Sequence, residues 1–190
     1  MVIQSLKPRQ HMQGFTMIEL IVVIVILGIL SAVALPRFTG IQRDARIAKL
    51  NAARGAVQAA AGMVHGTALA RAGQGNIPAV GACAVTNTTA VGGGNICTEA
   101  GAINVINWYP QATVASIISA AGLVSAFPAT NVALNVEQYN TTGGGAALGS
   151  VLTVQVQGGV AAATCSFTYQ PSNGVAGSAA IISPVNTVGC

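Results

Sequence analysis

An apolar run near the N-terminus constrains this chain more than any other feature. The run extends from Phe15 to Leu35 and contains one charged residue, Glu19. As an α-helix rising about 1.5 Å per residue, it spans roughly 31 Å, close to the hydrocarbon thickness of a bilayer. A carboxylate inside lipid costs about 2.5–3.5 kcal/mol or more, so an isolated membrane helix has no reason to carry one. The run can therefore cross a membrane, and the presence of Glu19 in it requires an explanation.

The basic residues are confined to the N-terminal part of the chain. Of the 190 residues, 52% are hydrophobic and only 6% are charged, which excludes a disordered protein. No Lys or Arg follows Arg71. Because neutralising phosphates requires several cations on one surface, we expect no nucleic acid among the partners of this C-terminal part. So few charges do little to keep copies apart, which favours self-association.

The cysteines indicate disulfides rather than a metal site. All four follow the apolar run, and none lies in a CxxC or Cys/His pattern typical of zinc. Two disulfides formed in an oxidising compartment fit this distribution better. The simplest of the three connectivities pairs Cys83 with Cys97 and Cys165 with Cys190. Each closed loop would restrict the unfolded chain by about 3 kcal/mol.

Three interpretations of the N-terminal segment compete. The first is a plain membrane anchor. The second is a secretory signal peptide, with Lys7 and Arg9 as its basic region and 32–34 (AVA) as its cleavage site. Pro36 weakens that site, because it would be the second residue after the cut. The third interpretation rests on the sequence GFTMIEL, residues 14–20, followed by an apolar helix.

This stretch resembles the type IV pilin family, including its pseudopilin relatives. The resemblance implies that a prepilin peptidase removes residues 1–14 by cutting between Gly14 and Phe15, and then methylates the new N-terminus. Gly28 matches a glycine in the family's buried helix, and Pro36 matches its helix-kinking proline. Residues 15–36 would then form the transmembrane helix, which also builds the filament core.

The resemblance also implies a partner for the acid. Glu19 takes the family's position for a glutamate that pairs with the N-terminal amine of a neighbouring subunit. In an apolar core, a mismatched stagger would leave a buried charge uncompensated, so the pair can fix register even with little net stabilisation. The alternative is that Glu19 stays near the membrane interface and reaches headgroups, which we expect before assembly.

Beyond Pro36, helical periodicity predicts an amphipathic stem over residues 37–72. Two apolar stripes suggest one contact with the chain's own head and one with neighbouring stems; the alternative is a single buried helix in a monomer. One stripe comprises Phe38, Ile41, Ala45, Ala48, Ala52, Gly55 and Ala59, and the other comprises Ile47, Leu50, Val57, Ala61 and Val64. The stem's basic residues read as a solvated face. Glycines and Pro36 allow local unwinding near residues 36–40.

The head, residues 73–190, reads as β-rich. A Gly-, Asn- and Thr-rich loop is predicted to about Glu99, and a short helix within Pro110–Leu123. Four alternating segments predict strands of one antiparallel sheet packed on the stem: NVALNVEQ, SVLTVQVQ, TCSFTY and SAAIIS. The fold class is therefore α+β, and by resemblance the pilin fold. The sequences NWYPQAT, AAGL and QRDARIAKLNAARGAV resemble the mannose-sensitive haemagglutinin branch of that family.

Residues suited to catalysis or metal binding are scarce in the head. It contains no histidine and two acids, Glu99 and Glu137, while His65 lies on the stem with an expected surface or packing role. No nucleophile–base constellation or calcium site can be built from this set, so we expect no catalytic residue, no metal and no cofactor.

By resemblance, the chain is expected to be the major structural subunit of a type IV pilus. Its precursor would lie in the inner membrane and then enter an extracellular helical homo-oligomer serving adhesion, motility or biofilm formation. The implied partners are the prepilin peptidase and methyltransferase and the assembly machinery of both membranes. A type II secretion pseudopilin is the first alternative, but such proteins typically bind calcium and lack a terminal disulfide. A signal-cleaved secreted adhesin is the second.

Overall fold

The computed structural model describes residues 14–71, 94–98, 101–159, 164–173, 175 and 178–190. A long helix precedes two antiparallel sheets and three short helical segments. The helices are α1 (Met17–Ala70), a π-helical turn (Val114–Ile118), α2 (Ser119–Ala121) and α3 (Asn131–Val136). The strands are β1 (Gly94–Thr98), β2 (Gly101–Ile106), β3 (Tyr109–Pro110), β4 (Tyr139–Gly143), β5 (Leu152–Val156), β6 (Ser166–Gln170) and β7 (Ile181–Ile182). The chain divides into two compact units, the first ending at Ile41 and the second beginning at Gln42.

The apolar part of α1 has no partner among the described residues of the first unit, 14–41. Its large apolar side chains between Phe15 and Leu35 are all exposed, and even Val23, the most covered of them, is 47% exposed. A helix that is apolar all round belongs in a membrane or a protein core rather than in water. Within the described residues, α1 is the one helix long and apolar enough to cross a membrane, judged by length and composition. Residues 36–40 stay helical, so the structure has no unwinding there.

In the second unit, the predicted inner stripe of the stem is the core face of α1. Leu50, Val57, Ala61 and Val64 are buried, and the partly buried Ile47 packs beside them. Residues 50–61 pack with the sheet formed by β4 to β7, while the C-terminal end of α1 packs with the sheet formed by β1 to β3. The fold is therefore the predicted α+β arrangement of a long helix covered by antiparallel sheet.

The sequence predicts one antiparallel sheet, but the structure has two. Strands β1, β2 and β3 form a separate three-stranded antiparallel sheet, and β4 to β7 form a four-stranded one in sequential order. The first sheet includes residues that the sequence assigned to a loop, because Gly94 and Asn95 suggested a turn. Ile96 and Ile103 pair across β1 and β2, and both are buried against α1. Burial of this pair outweighs the low strand propensity of its neighbours.

Three of the four predicted strands are confirmed. Segments SVLTVQVQ and TCSFTY contain β5 and β6, whose alternating residues Val154, Phe167 and Tyr169 are buried. The segment SAAIIS contains the two-residue β7. These strands pair antiparallel, with Val154 opposite Phe167.

The fourth predicted strand, NVALNVEQ, is wrong: most of it forms α3. The Thr130 side chain accepts a hydrogen bond from the Ala133 backbone amide at 3.2 Å and caps this helix. Helical geometry buries Leu134 completely while leaving Val132 and Val136 more than 70% exposed. Leu134 and Val136, predicted to share the buried face of a strand, therefore differ completely in burial. The strand begins only at Tyr139.

The predicted short helix is confirmed within Pro110–Leu123. It begins as a π-helical turn, continues as α2, and buries Ile117 and Ile118 in the main core. Gly122 follows it with φ of +62°, the left-handed conformation that glycine adopts at helix C-termini.

The interpretation of the stem cations as a solvated face is wrong for three of them. Arg46 Nη1 donates to the Cys190 carbonyl at 2.6 Å, and Arg54 Nε donates to the Ser183 carbonyl at 2.8 Å. Lys49 Nζ donates to the Glu137 carbonyl and lies 4.5 Å from the centroid of the Tyr139 ring. These cations bind main-chain acceptors of the head because carbonyls at strand and helix ends lack ladder partners. They fasten the stem to segments of the head that flank the strands of the four-stranded sheet.

Tyr169 links the two sheets and generates a stability prediction. Its side chain is fully buried, and its hydroxyl donates to the Pro110 carbonyl at 2.7 Å. Burial, and then the nearby Tyr109, raises the pKa of Tyr169 well above the usual tyrosine range. In the unfolded chain tyrosine ionises near pH 10. Stability from this residue is therefore present below about pH 10 and lost as the pH rises further.

Tyr169→Phe should lower the free energy of unfolding by about 1–2 kcal/mol, because it leaves the Pro110 carbonyl without its buried donor. It should also reduce the loss of stability between about pH 10 and pH 12. Denaturant titration of the detergent-solubilised chain, followed by near-UV circular dichroism, measures both. Tyr139→Phe is the control for the hydrogen bond, since its hydroxyl makes only a 3.4 Å contact with the Lys49 carbonyl. Equal losses in the two variants at neutral pH would contradict the account.

Candidate processing and assembly site

The predicted cleavage junction lies immediately before α1. Gly14, Phe15 and Thr16 precede the helix, and all three are exposed. A Cβ added to Gly14 would meet nothing within 4 Å. Residues 1–13 of the predicted leader lie outside the described part of the chain. The bond between Gly14 and Phe15 therefore lies outside the helix, in exposed backbone that a peptidase can reach.

Glu19 and Thr16 form a capping box at the start of α1. The Glu19 carboxylate accepts from the Thr16 backbone amide at 3.0 Å and from the Thr16 hydroxyl at 2.6 Å. In return, the Thr16 hydroxyl oxygen lies 3.4 Å from the Glu19 backbone amide. The arrangement satisfies amide groups that would otherwise lack partners at the helix N-terminus. Thr16 is thus a site residue that the sequence analysis missed, although the spacing T-x-x-E was its signal.

The surroundings of Glu19 are otherwise apolar. Phe15, Ile18, Val22 and Val23 line a shallow groove beside it, with a volume of about 370 Å³. The carboxylate therefore combines two local donors with an apolar rim that excludes water once covered. A cationic group placed in this groove would interact more strongly with the carboxylate than it would in water.

Gly28 and Pro36 lie inside α1. Gly28 is exposed, and a Cβ added there would meet nothing within 4 Å, so no contact inside the chain requires a glycine. Pro36 lies within continuous helix. Their roles in assembly remain predictions from the family resemblance.

The second predicted stripe of the stem faces away from the head. Within the second unit, its residues Ala45, Ala48, Ala52, Gly55 and Ala59 are all exposed. Phe38 and Ile41, in the first unit, are more than 60% exposed. Because the inner stripe is buried and this one is not, the stem is not the fully buried helix of a monomer. The stem has one covered face and one open face of small residues.

One of the two predicted disulfides is present among the described residues. Cys165 and Cys190 are bonded, with their Cα atoms 4.8 Å apart, and both are buried in the main core. The bond closes the segment that carries β6 and β7. Cys97 is also disulfide-bonded. Its predicted partner, Cys83, lies outside the described residues, so that pairing remains a prediction.

His65 has a packing role, as predicted. Its ring stacks on Tyr109 with centroids 4.0 Å apart, and its Nδ1 lies 3.1 Å from the Trp108 carbonyl. Across the described ranges, no three His, Cys, Asp or Glu side chains cluster as metal ligands would. The expected lack of a metal and of catalysis remains a prediction.

Two comparisons with known proteins found similarities to this chain. The family model of the prokaryotic N-terminal methylation motif matches residues 9–35. The chain is 50% identical over 48 residues to the type IV narrow pilus major component PilA5 of Thermus thermophilus. This match covers 25% of the chain and 41% of that relative, so the chain matches less than half the relative's length. No solved structure matches the chain.

Together with the long helix and the antiparallel sheets, the motif and this relative support a likeness to type IV pilins. Neither comparison concerns the mannose-sensitive haemagglutinin branch, which remains a prediction.

The capping box generates a prediction about the start of the helix. Thr16→Ala should increase hydrogen exchange at the Glu19 and Leu20 amides about fivefold, because losing such a cap costs about 1 kcal/mol. NMR-detected exchange on the chain in detergent micelles measures this. Thr16→Ser keeps the hydroxyl and should exchange like the wild type. Unchanged exchange in Thr16→Ala would show that the hydroxyl does not hold the helix N-terminus.

Proposed function

We propose that this chain is the precursor of a structural subunit of a type IV pilus, and that it is the major subunit. The observation that carries the proposal is the combination of a methylation motif with a helix whose apolar half is exposed on every side. Such a helix needs a membrane before assembly and a helical core of neighbours after it. A filament subunit passes through both environments.

Processing would occur at the exposed junction before α1. A prepilin peptidase in the inner membrane would cut between Gly14 and Phe15, and the same enzyme would methylate the Phe15 nitrogen. The cut creates a cationic amine on Phe15, the residue immediately before Thr16 of the capping box, at the rim of the groove beside Glu19. Before the cut, that nitrogen is an uncharged amide.

Glu19 would bind the Phe15 amine of a neighbouring copy. In the single chain its carboxylate is held toward the helix N-terminus by Thr16, and no cation lies within 4 Å of it among the residues described. An acid fixed in this orientation is ready to accept a charge-assisted hydrogen bond from an incoming amine. Because the wrong stagger would leave the acid buried and unpaired, the contact would select one register between copies.

The open face of the stem would pack against other stems. Alanine and glycine at 45, 48, 52, 55 and 59 let helix backbones approach closely. A Cβ added to Gly55 would meet nothing within 4 Å, so packing inside the chain gives no reason for a glycine there. Glycine lowers helix stability by up to about 1 kcal/mol, a cost that close approach of a second helix would offset.

We place the precursor in the inner membrane and the assembled protein in an extracellular filament used for adhesion, motility or biofilm formation. The assembly machinery of the inner and outer membranes would be its partners. The Cys165–Cys190 disulfide supports a pilus subunit over a secretion pseudopilin, because it closes the C-terminal segment that such pseudopilins leave without a terminal disulfide. No catalytic step is assigned to the chain.

Intact-mass spectrometry of sheared filaments tests the processing. The expected subunit begins at Phe15, lacks residues 1–14 and carries one added methyl group. A chain beginning at Leu35 would instead indicate signal-peptidase cleavage and a secreted protein, and would contradict the proposal. Trypsin gives an internal check, because no Lys or Arg follows Arg71 and the fragment 72–190 should remain in one piece.

A further inference from the structure

A polar pocket of about 290 Å³ opens on the flank of the stem, within the second unit. Arg54 and Gln58 line one side of it from α1, and Ala179 and Ala180 line the other from the segment before β7. Tyr109 of β3 borders it as well. Ala61 of the buried stripe also lines it, but no residue of the open stripe does. The pocket is therefore separate from the assembly surface proposed above.

The pocket has unused hydrogen-bond donors. Arg54 Nε donates to the Ser183 carbonyl at 2.8 Å, which fixes the guanidinium at the edge of the pocket. Its two terminal nitrogens have no hydrogen-bond partner within the described part of the chain. Gln58 lies one helical turn further along the same face, so its amide points to the same side of α1. A guanidinium with both terminal nitrogens free matches the two oxygens of a carboxylate.

The charge around the pocket favours an anionic ligand. The acids described in the second unit are Asp44 and Glu137, and neither lines this pocket. Arg54 is therefore not neutralised by a neighbouring carboxylate. A ligand carboxylate would supply the missing partner.

Tyr109 provides a rigid aromatic wall. His65 stacks on its ring at 4.0 Å between centroids and an angle of 5° between planes, which holds the ring in one orientation. The small side chains of Ala179 and Ala180 and the bare backbone of Gly62 leave space beside it. A Cβ on Gly62 would meet nothing within 4 Å, so a ligand can approach the helix backbone there. Small-ligand sites combine such apolar walls with a few placed polar groups.

We propose that this pocket binds one residue of an acidic sugar, a hexuronate. Its carboxylate would pair with the Arg54 guanidinium, a ring hydroxyl would bind the Gln58 amide, and the ring would lie along Tyr109. The volume suits a single sugar ring rather than a longer unit. The ligand can be a free uronic acid or one residue of an acidic polysaccharide, because both present the same chemistry.

Fluorescence titration of the full chain in detergent micelles tests the proposal without requiring filaments. The single tryptophan, Trp108, is next to Tyr109 in the chain and serves as the reporter. Sodium D-galacturonate or polygalacturonate should produce a saturable change, and D-galactose at the same concentrations should not. A response to the polymer alone would identify the source as a polysaccharide, and a response to both would identify the single residue as sufficient.

Variants distinguish binding in the pocket from nonspecific attraction of an anion to the basic stem. Arg54→Gln should weaken galacturonate binding at least tenfold, and Gln58→Ala should weaken it several-fold. Because the Gln58 side chain is exposed, its removal does not threaten the fold. Arg43→Gln and Asn51→Ala are the matched controls, since both residues are exposed on α1 outside the pocket, and both should bind like the wild type. The proposal is wrong if neither acidic probe binds, or if galactose binds as well as galacturonate. It is also wrong if Arg43→Gln loses as much galacturonate affinity as Arg54→Gln. Displacement of the sugar by inorganic phosphate at equal concentration would likewise contradict it.

Discussion

The structure depends on a helix that water cannot stabilise along its whole length. From Phe15 to Leu35, the chain exposes large apolar side chains in every direction, and none of the described residues of the first unit covers them. Membrane lipid or neighbouring copies must therefore surround this part of the chain. Glu19 is the one acid in this run, and its carboxylate accepts hydrogen bonds from the Thr16 amide and hydroxyl. The capping box fixes the orientation of the Glu19 carboxylate, as the proposed pairing with a neighbouring copy would require.

In the second unit, α1 is covered on one face instead of being exposed all round. One face of the stem is buried under two sheets, and three cations on its flanks bind main-chain oxygens of the head outside the strands. The opposite face carries small residues and stays open. The head thereby covers one side of the stem without occupying the surface that a filament would use. The Cys165–Cys190 disulfide holds the last strands in this covered layer.

Much of this arrangement could be predicted from the sequence, because strong periodicity records burial directly. The stem's inner stripe, the strands around Val154 and Phe167, and the terminal disulfide all followed from pattern and spacing. Segments in which two local signals favour different structures were harder to predict. In NVALNVEQ, an N-cap at Thr130 outweighs an alternating pattern, and at β1 a buried isoleucine pair outweighs glycine and asparagine. The stem cations were misread because their acceptors are backbone carbonyls, which carry no signal in the sequence.

Helical reconstruction of the filaments at side-chain resolution tests the central claim most directly, because it observes the acid and its partner together. The account predicts the Glu19 carboxylate within hydrogen-bonding distance of the Phe15 nitrogen of an adjacent copy, with Ala48, Ala52 and Gly55 packed against neighbouring stems. Filaments in which Glu19 contacts only its own Thr16, or in which that small-residue face borders solvent, would contradict it.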